Sequence, residues 1–274
     1  MTAETAPHPS WRRPIRSIVG EYLTQMFAVA DAEVSKLRHD PTELVSRGVQ
    51  PILWLLLFGQ VMAHVRGLNV GGGSYLDFLA PGILAQSVLF VAIFYGLSAI
   101  WERDLGVLHR YMVSPAPRSA LVIGKALASS IRGLCQAIVI YACAAVMGVG
   151  LSFDPARIAL VAVFIVMASA LFSTFSLIIA CIVKTRERFM GIGQFLTMPI
   201  FFASNAIYPI ALMPAWLRVV AGFNPLSYEV DGLRALMLKS GHSQFGLPLD
   251  LAALAFGVAV LTIIATRMYP RLTQ

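Results

Sequence analysis

Charge is scarce in this sequence. Asp, Glu, Lys and Arg make up 13% of its 274 residues, about half the share in a soluble domain. Hydrophobic residues make up 58%, and the mean hydropathy is +0.75. The interior of a water-soluble protein of this size cannot bury that much apolar sequence. A soluble enzyme and a disordered chain are both excluded, and the composition is that of an integral membrane protein. Cysteine is also sparse: Cys135, Cys143 and Cys181 lie in apolar stretches with no CxxC spacing. They read as small core residues rather than disulfides or metal ligands.

Several chemistries are missing as well. The uncharged stretches contain no carboxylate, and His64 alone sits near a span end, whereas ion-coupled transporters and proton pumps need ionisable groups inside the membrane. There is no GxSxG elbow and no HExxH zinc site. Gly124-Lys125 comes nearest to a phosphate-binding loop, but Ala126 follows where Ser or Thr is required, and no glycine lies five residues earlier. Neither catalysis nor a resident metal is expected. If this chain does work, another subunit supplies the energy. The N-terminus has no apolar h-region, so no cleavable signal peptide is expected and the first hydrophobic span must direct insertion.

What the chain does have is apolar runs. Stretches free of charge cover 48–65, 78–101, 133–153, 158–183, 189–217 and 251–266. About 20 apolar residues cross the hydrocarbon layer, which predicts an all-α protein with six spans near 49–66, 77–101, 126–150, 157–183, 188–206 and 249–268. At the ends of the last span, Asp250 and Arg267 are expected to snorkel to the headgroups. The fifth stretch holds 29 uncharged residues with Pro199, Pro209 and Pro214. Proline breaks a helix, so a re-entrant apolar segment over 207–222 is expected after that crossing. Six crossings place both termini on one side, which then carries sixteen of the 21 Lys and Arg against five on the other. The positive-inside rule makes that side the cytoplasm. This asymmetry accounts for the net charge of +7 without a nucleic-acid partner.

Three polar features stand beside the spans. Residues 1–16 form a tail and 17–47 an amphipathic interfacial helix with its linker. In that helix Val19, Leu23, Met26, Phe27, Ala30, Val34 and Leu37 share an arc opposite Glu21, Gln25, Asp31, Lys36 and Arg38. Glu33 projects near the apolar arc, as a solvated edge residue or a contact with a partner. The second feature follows span two. Trp101, Leu105, Leu108 and Met112 make one stripe, Arg103 and Arg110 lie opposite, and Ser114-Pro115-Ala116-Pro117 stops the helix. It is either a connector or a docking helix. In the third, Asn224 fits an N-cap and Pro225 the first helical position, opening an external amphipathic helix that ends at Gly241.

Taken together, these features resemble the membrane subunit of an ABC-2-type exporter, most nearly the daunorubicin-resistance and lipo-oligosaccharide types. Glu102, Gly106, Leu108, Pro115, Arg118, Gly124 and Lys125 resemble that family's loop pattern. Asn224-Pro225-Leu226 with Asp231, Leu233 and Arg234 is similar to its signature before the last span. Asp40-Pro41 and Gln50-Pro51-Ile52-Leu53-Trp54 also look familial. The likeness runs from about residue 16 and makes 48–274 the transmembrane domain.

The resemblance implies two permease subunits, alike or paralogous, above two ATP-binding subunits in the cell's inner membrane, with ATP and Mg on those partners. It implies that Glu102, Arg103, Gly106, Leu108 and Arg110 form a coupling helix over 102–113. Glu33 and Lys36 would belong to an interfacial or gate helix, and Pro209, Pro214, Asn224, Pro225 and Leu226 to an extracellular gate. An amphiphilic drug, lipid or glycolipid is the expected cargo. A polysaccharide or lipo-oligosaccharide is the alternative, for which Phe90, Phe94, Tyr95, Phe172, Phe175, Phe195, Phe201 and Phe202 would supply rings. A non-transport anchor subunit would keep the spans without needing the loop motif.

Overall fold

The computed structural model describes Asp31, Ser35 and residues 42–63, 74–106, 118–183 and 185–270. Glu33, Lys36, Leu108 and Arg110 lie outside the described residues. Helix α1 (Thr42–Leu53) runs through a π-helical turn, Trp54–Gly59, into α2 (Gln60–Ala63). Then follow α3 (Tyr75–Tyr95), α4 (Leu97–Asp104), α5 (Arg118–Val146), α6 (Pro155–Ile182) and α7 (Arg186–Phe202). A 3-10 turn, Ile210–Leu212, leads to α8 (Ala215–Phe223), α9 (Pro225–Met237) and α10 (Leu247–Met268). Among the described residues there is no strand, and one antiparallel bridge joins Leu151 to Leu238.

Four helices are long and apolar enough to cross a membrane: α3 with α4 taken together, α5, α6 and α10. The apolar helix Gly48–Met62 and the 17-residue α7 are shorter. At 1.5 Å per residue α7 rises roughly 25 Å, short of a hydrocarbon core of about 30 Å. It had been expected to continue to residue 206, but it stops at Phe202, where the Ser204 hydroxyl takes the Phe201 carbonyl at 2.7 Å. The break falls three residues after Pro199, which cannot donate into the helix.

The helix starts carry their own chemistry. Ser74 and Asp77 form a reciprocal capping box on α3, and the free Asp77 Oδ1 accepts from the Gly150 backbone at 2.8 Å. Asp154 caps α6 just before Pro155, and Thr185 caps α7. Asn224 caps α9 as the sequence predicts, its Oδ1 accepting from Leu226 at 3.0 Å. At the same end of the molecule the α5–α6 turn pairs with the chain after α9. Ser152 donates to Met237, Lys239 donates to Gly150, and Arg157 donates to the Leu238 carbonyl.

Packing centres on α6, which lies against α3, α5, α9 and α10. The main core joins α3, α5, α6 and α9 through residues such as Leu84, Ile140, Phe172 and Leu233. A smaller cluster at the opposite end from the Leu151–Leu238 bridge gathers Ile100, Leu121, Phe189 and Tyr269. Helix α9 departs from the sequence reading. Instead of lying half-exposed on the outer surface it is buried on nearly all faces, Glu229, Asp231 and Arg234 included, and it ends at Met237 rather than Gly241. Asp250 does not snorkel either: it is fully buried, with Ser243 2.9 Å away.

Close approach of α3 to the proline-broken segment rests on one glycine. A Cβ on Gly82 would sit 2.3 Å from the Ala206 carbonyl oxygen, a backbone atom that cannot rotate aside. Gly82→Ala should therefore destabilise the protein by about 1–3 kcal/mol, the usual range for overpacking. Thermal unfolding in detergent checks this, and a variant melting with the parent would show that the segment can withdraw freely.

Candidate functional site

Four polar side chains from three apolar helices gather in one place. Gln50 on α1, Gln86 and Ser87 on α3, and Gln194 on α7 line a cavity of about 490 Å³. Phe90, Phe94 and Met190 complete its walls, with no charged residue among the lining groups. The two phenylalanines stack at 6.0 Å between centroids. Gln86 is buried, and its Oε1 has no hydrogen-bond partner. The other aromatic candidates do not converge here: Phe172 and Phe201 are core residues, and Phe195 is exposed.

Below the cavity, at the end carrying the small cluster, charges meet in pairs. The Lys125 ammonium reaches both carboxylate oxygens of Glu102, at 2.8 and 2.7 Å. The two side chains retain 8% and 13% of their exposure. Truncating one partner of such a buried pair leaves the other charge unpaired and costs about 3–5 kcal/mol. Asp104 instead bridges two arginines, Arg103 through Oδ1 at 2.9 Å and Arg186 through Oδ2 at 2.8 Å. The Arg186 guanidinium also lies over the Trp101 ring, 4.0 Å from its centroid. Asp104 and Arg186 keep 33% and 36% exposure, so water screens their pair and it contributes little to stability.

This geometry corrects the expected coupling helix. Glu102 and Arg103 form the last turn of α4, continuous with span two, rather than the first turn of a new helix. Leu105 and Gly106 then end it, Gly106 adopting φ +70° as helix-terminating glycines do. Leu108 and Met112, the rest of the stripe that begins at Trp101, lie outside the described residues. Glu102 is turned inward onto Lys125 and presents little surface to a partner.

At the other end Pro209 and Pro214 do break the chain, each preceding a short helix. Carbonyls released by the break are taken up by side chains. Asn224 Nδ2 donates to Ile200 at 2.6 Å, Arg234 to Asn205 at 2.9 Å and Tyr75 to Ile207 at 3.0 Å. Arg234 also lies over the Phe78 ring at 3.8 Å. Asp231 accepts from the Gln244 and Phe245 backbones, and Ser243 bridges it to Asp250. Pro225 opens α9 and Leu226 is fully buried in the core. In contrast α8 exposes Trp216, Val219 and Phe223. Glu229, on α9 and outside the expected spans, is fully buried with both carboxyl oxygens unpartnered. Burial pushes its pKa well above the usual carboxylate range.

Sequence reasoning missed the cavity and the partners of the charged turn. Three glutamines in uncharged stretches were a signal for the cavity, because an amide in hydrocarbon needs a partner or water. Lys125, a cation inside an apolar helix, was a signal for a buried acid nearby. Nothing in the sequence pointed from Asp104 to Arg186.

Comparison with known proteins agrees with this architecture. The ABC-2 type transporter family model matches residues 24–238. The chain is 28% identical over 239 residues to the ycf38 protein of Cyanophora paradoxa, a candidate transport permease, covering 86% of this chain and 80% of that one. It is 26% identical over 263 residues to the daunorubicin resistance ABC transporter permease protein DrrB1 of Streptomyces coeruleorubidus, covering 94% and 89%. Against the inner membrane transport permease YadH of Escherichia coli K12 it is 26% identical over 229 residues, covering 79% and 82%. A family match across most of the chain, on a fold of long apolar helices, identifies an integral membrane permease subunit: this protein belongs to the ABC-2 type transporter family.

Proposed function

We propose that this chain is the permease subunit of an ATP-driven exporter for an uncharged or zwitterionic amphiphile, a drug, lipid or glycolipid. The observation that carries the reading is the cavity between α1, α3 and α7. Its 490 Å³ lies in the range of small-molecule sites, and its lining pairs amide and hydroxyl groups with aromatic and thioether surface. An ionised cargo would find no counter-charge there. The stacked Phe90–Phe94 pair favours one further reading, a sugar-bearing cargo resting a ring face on that platform.

In this reading the four long helices and the two shorter apolar segments, Gly48–Met62 and α7, make six crossings. A short helix is accommodated by local thinning of the bilayer or by association with a second helix. Two permease copies, or paralogues, would face each other across the cavity and the exposed face of α7, where Met190, Ile192 and Phe195 stand free. Two ATP-binding subunits would sit beneath the charged turn at Trp101–Asp104, with ATP and Mg bound on them. The segment around Pro209, Pro214 and α8 would close the pathway from outside. Both termini would be cytoplasmic. The loop beyond Gly106, with Leu108 and Arg110, would seat in the ATP-binding subunit, and the helix bearing Glu33 and Lys36 would lie along the inner leaflet.

Two measurements test this reading. With the native cysteines replaced by alanine, Ser114→Cys should react with an impermeant thiol reagent only from the cytoplasm and Ser240→Cys only from outside; labelling of both from one face would refute six crossings. The purified permease alone should hydrolyse no ATP. In complex with its ATPase, Gln86→Leu should weaken cargo-stimulated hydrolysis and export about two- to tenfold, the worth of one hydrogen bond. Unchanged stimulation would remove the cavity from the transport route.

A further inference from the structure

We propose that Asp104 and Arg186 form a latch closing the cytoplasmic mouth of the cavity, with the Glu102–Lys125 pair as the fixed point against which it opens. The inference rests on the exporter reading for its sidedness and on the geometry for the rest.

The two residues tie together opposite walls of the cavity. Asp104 ends the α3–α4 helix, which carries Gln86, Phe90 and Phe94, while Arg186 begins α7, which presents Met190 one turn later and Gln194 two turns later. Arg186 Nε and Nη2 both reach Asp104 Oδ2, at 2.9 and 2.8 Å. The Trp101 ring covers the guanidinium from one side. Separating Asp104 from Arg186 parts α4 from α7 just where the cavity would open downward. Phe189, fully buried in the small apolar cluster, keeps α7 seated. Release of Arg186 thus frees the first turn of the helix without detaching it.

Exposure separates the roles of the two ion pairs. Lys125 and Glu102 are nearly closed off from water, and single loss of either leaves a buried charge. That pair holds the end of α4 against α5 throughout a cycle. Asp104 and Arg186 each keep about a third of their exposure, so water can replace either partner at little cost. A contact that is weak, joins two cavity walls and lies on the partner-facing turn has the properties of a reversible latch. Exposed pairs are also screened by salt, whereas buried ones are screened much less.

The test uses the assembled transporter in membrane vesicles, with Cys135, Cys143 and Cys181 changed to alanine and Ser87→Cys as reporter. Ser87 is buried in the cavity wall. Labelling by an impermeant thiol reagent from the cytoplasmic face should accelerate about fivefold in Asp104→Arg and in Arg186→Asp, in line with loss of one exposed pair. The exchange is made in an Arg103→Gln background, where no second arginine faces position 104, and there the double variant should return to within about twofold of its own parent, since the pair is restored with its signs reversed. Higher salt should speed labelling in the parent but not in Arg186→Gln, the milder variant that serves if charge reversal prevents insertion. Unchanged labelling from either face, or an exchange that fails to restore the parent rate, overturns the latch. Acceleration confined to the opposite face supports the latch and overturns the assigned sidedness instead.

Discussion

Inside a bilayer no water satisfies a free backbone group, so every break in a helix must be answered by another part of the protein. That constraint organises this structure around Pro199–Pro214. The chain stops being helical at Phe202, and its loose carbonyls at Ile200, Asn205 and Ile207 are met by Asn224, Arg234 and Tyr75. Three donors from two other helices thus hold an irregular segment in place. The same contacts help explain why α9 is buried rather than lying on the surface: Asn224 at its start and Arg234 on it are turned inward to serve the break. They also explain the glycine at position 82, whose missing side chain lets α3 reach the Ala206 carbonyl.

Charge is arranged by the same logic of desolvation. Few ionisable groups are present, and those described as buried cluster at the two ends. At the end carrying the Leu151–Leu238 bridge, Asp231 binds the loop at 244–245 while Arg234 binds carbonyls, so the charges stabilise backbone rather than face the cavity. At the other end the pairs differ in burial, Glu102–Lys125 closed and Asp104–Arg186 half open. Between the ends lies a cavity with no charge at all. The proposed export of an amphiphile calls for this distribution, because a fixed charge at mid-depth would either bind counter-ions or bar an apolar cargo.

How much of this was legible in the sequence follows from which forces act locally. Spans over 155–182 and 247–268 emerge within two residues of expectation, because uninterrupted apolar runs bounded by Asp154 or Gly246 leave no competing structure. The Asn224–Pro225 start was readable for the same reason, a cap being a contact between near neighbours. The reading of α9 as an amphipathic surface helix failed because periodicity reports only which side is apolar. It cannot show that the polar side is also covered, here by α3, α10 and the loop at 243–246. Of the coupling stripe only Trp101 and Leu105 are described: they have helical spacing, yet α4 ends at Asp104 and Gly106 takes a positive φ. Lys125 and Arg186 could not be paired from sequence because their partners lie 23 and 82 residues away.

The two halves of the site therefore depend on one another through α3 and α4. This helix pair contributes a cavity wall at Gln86–Phe94, and its last turn carries Trp101, Glu102 and Asp104. Its two segments meet at Gly96, where α6 comes so near that a Cβ would collide with Ser176, and the Ser176 hydroxyl bonds the Ile93 carbonyl at that junction. In the latch reading, a displacement applied at the charged end travels along a helix pinned at its middle against α6, on which the packing centres. In that reading, this pinning limits movement to the segment beyond Gly96 and to α7, whose exposed face carries no packing within this chain. Motion at the charged end is then directed to the mouth of the cavity, while the Gly82–Ala206 contact at the far end stays closed.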